Sequence, residues 1–217
     1  MTIRVLLADD HAVVREGLRL LLESGDGIQV VGEAANGIQA VRRTQTLKPD
    51  VVVMDAAMPE LNGIEAAAQI RQECPAANVV ILSMHSSAEH VRRALQAGAR
   101  GYGLKESAGA EVVEAVRAVH AGRRYFGRGL AETVVDDYLR PEQGSGPRHP
   151  LELLSLRERQ VLQMVVEGKT SEEIAGQFFL SVKSVETYRS RIMLKLDLHE
   201  VPSLVKFALR HGLTTLE

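Results

Sequence analysis

The sequence predicts a doubly wound α/β domain followed by a small all-α domain. Three observations lead there. Apolar runs alternate five times with helix-like stretches in roughly the first 120 residues. A Gly/Pro/Ser stretch, Pro141 to Pro150, then interrupts all periodicity. Beyond it come helix-capping signals followed by apolar residues at helical spacing. We therefore expect one domain over residues 1–121, a linker over 122–150 and a second domain over 151–217.

The first unit runs from the apolar strand Ile3–Ala8 through the acidic pair Asp9 and Asp10 into a helix. Val13, Val14, Leu18, Leu21 and Leu22 give that helix its apolar periodicity. Ile28–Val31 is a second strand, and Gly37–Leu47 a second helix with Ile38, Val41 and Leu47 for its buried side. Lys48-Pro49-Asp50 breaks into Val51–Asp55, whose unalternating apolar run reads as a central parallel strand covered on both faces. Met58-Pro59 interrupts the loop that follows. Asn62-Gly63 would suggest a hairpin, but the helix formers after it make Asn62 an N-cap. Asn78–Ser83, Ala88–Ala97, Gly101–Leu104 and Ala108–Ala121 complete the alternation. Right-handed crossovers leave two main doubly wound orders. Five strands fit the flavodoxin-like order 2-1-3-4-5, whereas the dinucleotide order usually needs six.

Composition narrows the classes. Of the 217 residues 45% are hydrophobic, normal for a soluble protein with real cores. No stretch approaches the roughly 18–20 apolar residues of a membrane span, and the N-terminus enters a strand with no basic and apolar leader. A cytoplasmic protein without membrane contact is the expectation. The single Cys74 has no ligand partners at metal spacing and reads as structural. Residues 1–121 carry 12 Lys and Arg against 15 Asp and Glu, while residues 155–217 carry 9 against 8. Positive charge gathers on residues 181–196, where Lys183, Arg189, Arg191 and Lys195 face one acidic residue, Glu186.

In a parallel sheet of this kind, polar residues at the carboxyl ends of the strands share one crevice. Here they are Asp9 and Asp10 after the first strand, Asp55 at the third, Ser83 at the fourth and Lys105 after the fifth. Clustered carboxylates repel one another unless a cation neutralises them, and hard oxygen ligands favour Mg2+. Lys105 and Ser83 suit phosphoryl oxygens. The set suits a phosphoryl-transfer site in which an Asp attacks a phosphorus atom held between Mg2+ and Lys105.

The pattern Asp-Asp, Met-Asp-x-x-Met-Pro-x-x-Asn-Gly, Ser, Lys resembles a two-component receiver domain over residues 3 to about 121. The resemblance implies that Asp55 is the phosphoacceptor and that Asp10, Asp55 and the Ala57 carbonyl hold Mg2+, with Asp9 acting partly through water. It also places Tyr102 at the family's aromatic switch position. Gly103 departs from the family, which commonly has a larger apolar residue there. Phosphatases of the haloacid dehalogenase type need a second Asp two positions after the nucleophile; Ala57 stands there, so multiple-turnover hydrolysis is not expected. Asp9-Asp10-His11 would repel a pyrophosphate, which excludes dinucleotide binding. His11 and His85 flank the pocket and read as exposed loop residues.

In the second domain, Ser155-Leu-Arg-Glu158 and Thr170-Ser-Glu-Glu173 are capping boxes, and Gly168 ends the helix between them. A short helix, a turn at Phe179-Leu180-Ser181 and a longer basic helix follow the helix-turn-helix plan. On the basic helix Val185, Tyr188, Ile192 and Leu196 face the core. Lys183, Glu186, Thr187 and Ser190 share the opposite face, flanked by Arg189, Arg191 and Lys195. Cations there suit phosphates, Glu186 suits the cytosine amino group, and Thr187 suits thymine methyl. Lys169 and Ser184 complete the candidate DNA-binding set. Leu154 to Leu162, Glu167 to Thr170, Ile174-Ala175 and Leu180 to Arg191 resemble the LuxR-type helix-turn-helix, and the whole chain resembles a NarL/FixJ response regulator. Tyr188, often His in the family, and Leu194, usually polar, depart from it. The resemblance implies a transcription factor, not an enzyme, that is phosphorylated by a sensor histidine kinase or a small acyl phosphate. It also implies a homodimer when phosphorylated, with the final helix supplying a dimer contact on DNA. A phosphate-independent DNA-binding regulator, whose first domain serves dimerisation or ligand sensing, is the alternative.

Overall fold

A computed structural model describes residues 2–24, 27–130, 150–211 and 213. The chain divides into two compact units, within Met1–Pro141 and Glu142–Glu217. A helix over residues 130–139, which the sequence allows, and the linker stretch at 141–150 fall almost entirely outside the described residues.

In the first unit β1 (Ile3–Ala8), β2 (Ile28–Ala34), β3 (Val51–Asp55), β4 (Asn78–Ser83), β5 (Gly101–Leu104) and β6 (Tyr125–Phe126) form one sheet. Its order is β2-β1-β3-β4-β5-β6 and every pairing is parallel. The flavodoxin-like order is therefore present, extended by a short sixth strand. All five residues of β3 are buried, as its continuous apolar run requires. Strand alternation divides them: Val52 and Met54 enter one apolar layer, Val51 and Val53 the other. Helices α2 (Gly37–Leu47), α3 (Gly63–Glu73) and α4 (Ala88–Ala97) pack on the first layer. The other is covered by α1 (Ala12–Glu23) and α5 (Ala108–His120). In α1 only Leu18 and Leu22 are buried; Val13 and Leu21 point outward, because one helix face cannot hold all five apolar positions against the sheet.

Asn62 caps α3 by accepting from the Glu65 amide at 2.9 Å. Gly63 is needed beside it, since a Cβ there would lie 1.9 Å from the Asp55 carbonyl oxygen. The Gly63 amide donates to the Ala56 carbonyl at 2.9 Å. The Asn-Gly pair thus seats α3 directly under the loop that carries the end of β3.

Residues 122–130, expected as linker, continue the first unit. The Tyr125 amide donates to the Arg100 carbonyl at 3.0 Å and the Gly127 amide to the Tyr102 carbonyl at 2.9 Å. Leu130 is buried in the same apolar layer as Tyr102. Gly103, unexplained by sequence, lies against this segment: a Cβ on Gly127 would stand 3.4 Å from its Cα and 2.9 Å from a Glu111 carboxylate oxygen.

The second unit begins with a 3-10 turn (Pro150–Leu153), followed by α6 (Leu156–Val166), α7 (Ser171–Phe178), α8 (Val182–Leu196) and α9 (Val201–Arg210). Both capping boxes form as the sequence predicts, Ser155 with Glu158 and Thr170 with Glu173. Their core contains Leu154, Val161, Leu162, Ile174, Val185, Ile192, Leu204 and Ala208. Among the described residues no helix is long and apolar enough to cross a membrane.

Candidate functional site

The carboxyl ends of β1, β3 and β5 bring their polar residues together as the strand order demands. Lys105 donates to Asp55 Oδ2 at 2.7 Å, and its ammonium lies 2.8 Å from Asp9 Oδ2. Asp55 Oδ1 accepts from the Ala57 amide at 3.2 Å. Asp9 and Asp55 are almost completely buried, and Asp10 is partly open. Burial pushes the Asp55 carboxyl up to about 6, against the pull of Lys105 and helped by the charge of Asp9. Burial lowers Lys105, but Asp55 and Asp9 outweigh it and raise its pKa. Two buried carboxylates sharing one ammonium leave surplus negative charge in the crevice.

Asp9, Asp10, His11 and Asp55 each offer a ligand atom, all within 4.8 Å of one another. Asp9 Oδ2 is buried and accepts no hydrogen bond of good geometry, despite the nearby ammonium. An under-satisfied buried carboxylate in an oxygen-rich cluster fits a hard divalent cation. The sequence predicts His11 as an exposed loop residue, and its side chain is 64% exposed. Yet its Nδ1 lies 2.8 Å from Asp10 Oδ1 and its amide donates to Asp9 Oδ1 at 2.9 Å. The Asp10 charge raises its pKa. Its adjacency to the acidic pair was the available signal.

Ser83, at the end of β4, accepts from the His85 amide at 3.0 Å. The Lys105 amide donates to the Ser83 carbonyl at 2.9 Å, which holds the two residues side by side. Tyr102 is fully buried, and its hydroxyl donates to the His85 carbonyl at 2.7 Å. Burial pushes its pKa up, opposed by the Ser83 hydroxyl. The loop after β4 is thus tied to both Ser83 and Tyr102, while its His85 stacks on His90 with ring centroids 4.5 Å apart.

The second unit presents a polar helix face. On α8, Val185 and Ile192 are buried, while Lys183, Glu186, Thr187, Ser190 and Arg191 are exposed. Ser184 is half-buried and Arg189 is 29% exposed. Ser181 caps the helix by accepting from the Ser184 amide at 3.1 Å. The Thr187 hydroxyl donates to the Lys183 carbonyl at 2.9 Å and that of Ser190 to the Glu186 carbonyl at 3.0 Å. Lys169 is exposed just before the N-cap of α7. Lys195 instead pairs at 2.7 Å with Glu158, the buried capping-box carboxylate of α6. Sequence periodicity placed Lys195 on the helix flank but could not show this internal partner.

Two family profiles match the chain: the response regulator receiver domain over residues 5–117, and the luxR family of bacterial regulatory proteins over residues 152–208. Response regulator UvrY of Escherichia coli K12 is 40% identical over 215 residues, covering 99% of this chain and 97% of that protein. A crystal structure of a LuxR-family two-component response regulator from Aurantimonas sp. SI85-9A1 is 41% identical with a TM-score of 0.62. It covers 64% of this chain and 100% of its own. The response regulator RcsB in complex with DNA has the same fold, with a TM-score of 0.59 at 23% identity, over 97% of this chain and 99% of its own.

Proposed function

Because the chain belongs to the NarL/FixJ family of LuxR-type response regulators, which are phosphorylation-controlled transcription factors and not enzymes, we propose that Asp55 is its phosphoacceptor. The observation that carries this is the geometry of Asp55: a buried carboxylate between Lys105 and the acidic pair. An oxygen of Asp55 forms a bond to phosphorus as the donor's bond breaks, and the donor departs as histidine or as a carboxylate. Lys105 holds the attacking carboxylate and then a phosphoryl oxygen. Asp9, Asp10, Asp55 and the Ala57 carbonyl are the proposed ligands of Mg2+, which supplies charge neutralisation for the incoming phosphoryl group. Ser83 donates to that group and Tyr102 repacks with it, which biases the loop after β4.

A sensor histidine kinase is the proposed donor and the cytoplasm the proposed compartment. Phosphorylation favours a homodimer that reads two half-sites. DNA is contacted through Lys169, Lys183, Ser184, Glu186, Thr187, Arg189, Ser190 and Arg191. Lys195, held by Glu158, is the weakest member of that set. We propose that the first domain extends past residue 121 through Leu130, because β6 and Leu130 pack on it.

Intact mass after incubation with acetyl phosphate and Mg2+ tests the acceptor. A gain of about 80 Da is expected in the wild type. It should be absent in Asp55→Asn and in the wild type treated with a chelator. A gain in Asp55→Asn moves the chemistry elsewhere. No gain from acetyl phosphate or from a kinase favours a phosphate-independent regulator.

A further inference from the structure

We propose that Ser171, at the start of α7, is a positioning residue for DNA readout: it aims the Glu186 carboxylate at the amino group of one cytosine in the major groove. The inference rests on the DNA-binding reading of α8 and goes beyond it by naming what sets the specificity of that face. Ser171 is buried, 8% exposed, although serine is more often found at the surface. Its hydroxyl donates to Glu186 Oε1, and Ser171 Oγ itself accepts from Arg189 Nη1 at 3.1 Å. Arg189 in turn approaches Glu186 Oε1 to 4.0 Å. One hydroxyl on α7 therefore fixes two side chains of α8.

The consequence for Glu186 is chemical. A glutamate on an exposed helix face samples several rotamers, and ordering it on binding costs affinity. Here one carboxylate oxygen is already engaged by Ser171, and the carboxylate faces the positive end of α7. The other, Oε2, has no partner among the described residues, and the side chain is 56% exposed. A pre-oriented carboxylate oxygen on a groove-facing helix accepts from cytosine N4, whereas guanine and thymine present acceptors at that edge and are repelled. Thr187 and Ser190, whose hydroxyls donate back to the helix backbone, do not compete for that donor. Arg189 is held beside Glu186, so its remaining guanidinium donors are placed for an adjacent phosphate.

The test is selection from a randomised DNA duplex library by the full-length, acetyl-phosphate-treated protein, followed by sequencing and by titration of the selected site at several salt concentrations. The wild type should select a site with one strongly required cytosine per half-site. Glu186→Ala should lose preference at that position. Ser171→Ala should weaken it by roughly three- to tenfold, with base preference at other positions and the thermal midpoint unchanged. Ser171→Thr, which keeps the hydroxyl, should restore it. Undiminished cytosine preference in Ser171→Ala overturns the inference. So does a loss of preference at every position together with a lowered midpoint, which makes Ser171 merely structural. A wild-type site without the required cytosine removes the inference but leaves DNA binding standing. A wild type that selects no site removes both.

Discussion

At the residue scale, the acidic crevice around Asp55 depends on close backbone approach as much as on charge. A methyl group on Gly63 would meet the Asp55 carbonyl at 1.9 Å, a contact that only backbone movement relieves. Gly63→Ala should lower denaturant-measured stability by about 1–3 kcal/mol. It should also slow mass gain from acetyl phosphate, because the shift displaces the carboxylate from Lys105. Unchanged stability would mean that α3 can retreat without disturbing β3. Asp9, Asp55, Ser83 and Lys105 are readable from sequence, since each is a polar side chain at or just past the end of an apolar strand. Side-chain partners are not: the Tyr102 hydroxyl finds a backbone carbonyl 17 residues earlier in the chain.

At the element scale, the cap of α6 is tied to α8. Burial raises the Glu158 carboxyl, but hydrogen bonds from Lys195 and from the Ser155 amide and hydroxyl outweigh it, so its pKa lies below the ordinary 4.5. A depressed folded-state pKa stabilises fully above the unfolded value and is lost as pH falls through the folded one. The midpoint of the C-terminal unit should therefore fall as pH drops below about 4.5. Glu158→Gln should flatten that fall while lowering the midpoint at neutral pH. An identical acid dependence in the variant would exclude this role for the cap. At the other unit's edge, β6 extends the sheet beyond the expected five strands. Leu130→Ala should cost about 2–5 kcal/mol of first-unit stability, as for a buried core leucine. A loss near zero would make the segment a linker after all. The Tyr125-Phe126 pair was too short to give a strand period, so its docking on β5 was invisible to pattern reading.

At the scale of the whole molecule, separate cores predict separate melting. The two compact units have their own apolar clusters, so calorimetry should resolve two transitions. A fragment of residues 142–217 should reproduce one of them; a single cooperative transition would show that the units fold together. DNA affinity should fall steeply with salt, and Arg191→Ala should reduce the slope of log K against log salt by about 1, as the proposed phosphate contact requires. An unchanged slope would take Arg191 out of the interface.

The βα alternation, the order of the first five strands, both capping boxes and the helix-turn-helix are legible in the chain alone. These follow from local periodicity, capping chemistry and the handedness of parallel crossovers, all written within short stretches of chain. The sequence also determined which polar residues reach the carboxyl ends of the strands, because strand order alone places them there. Packing of distant elements, by contrast, set that Tyr102 is buried, that His11 joins the acidic cluster, and that Lys195 belongs to Glu158. It likewise set that Ser171 holds Glu186, and that Gly103 packs against Gly127, just past a sixth strand. Each of these is a contact between residues distant in sequence or a matter of side-chain direction. Neither leaves a period in the chain, and both are set only when the elements pack.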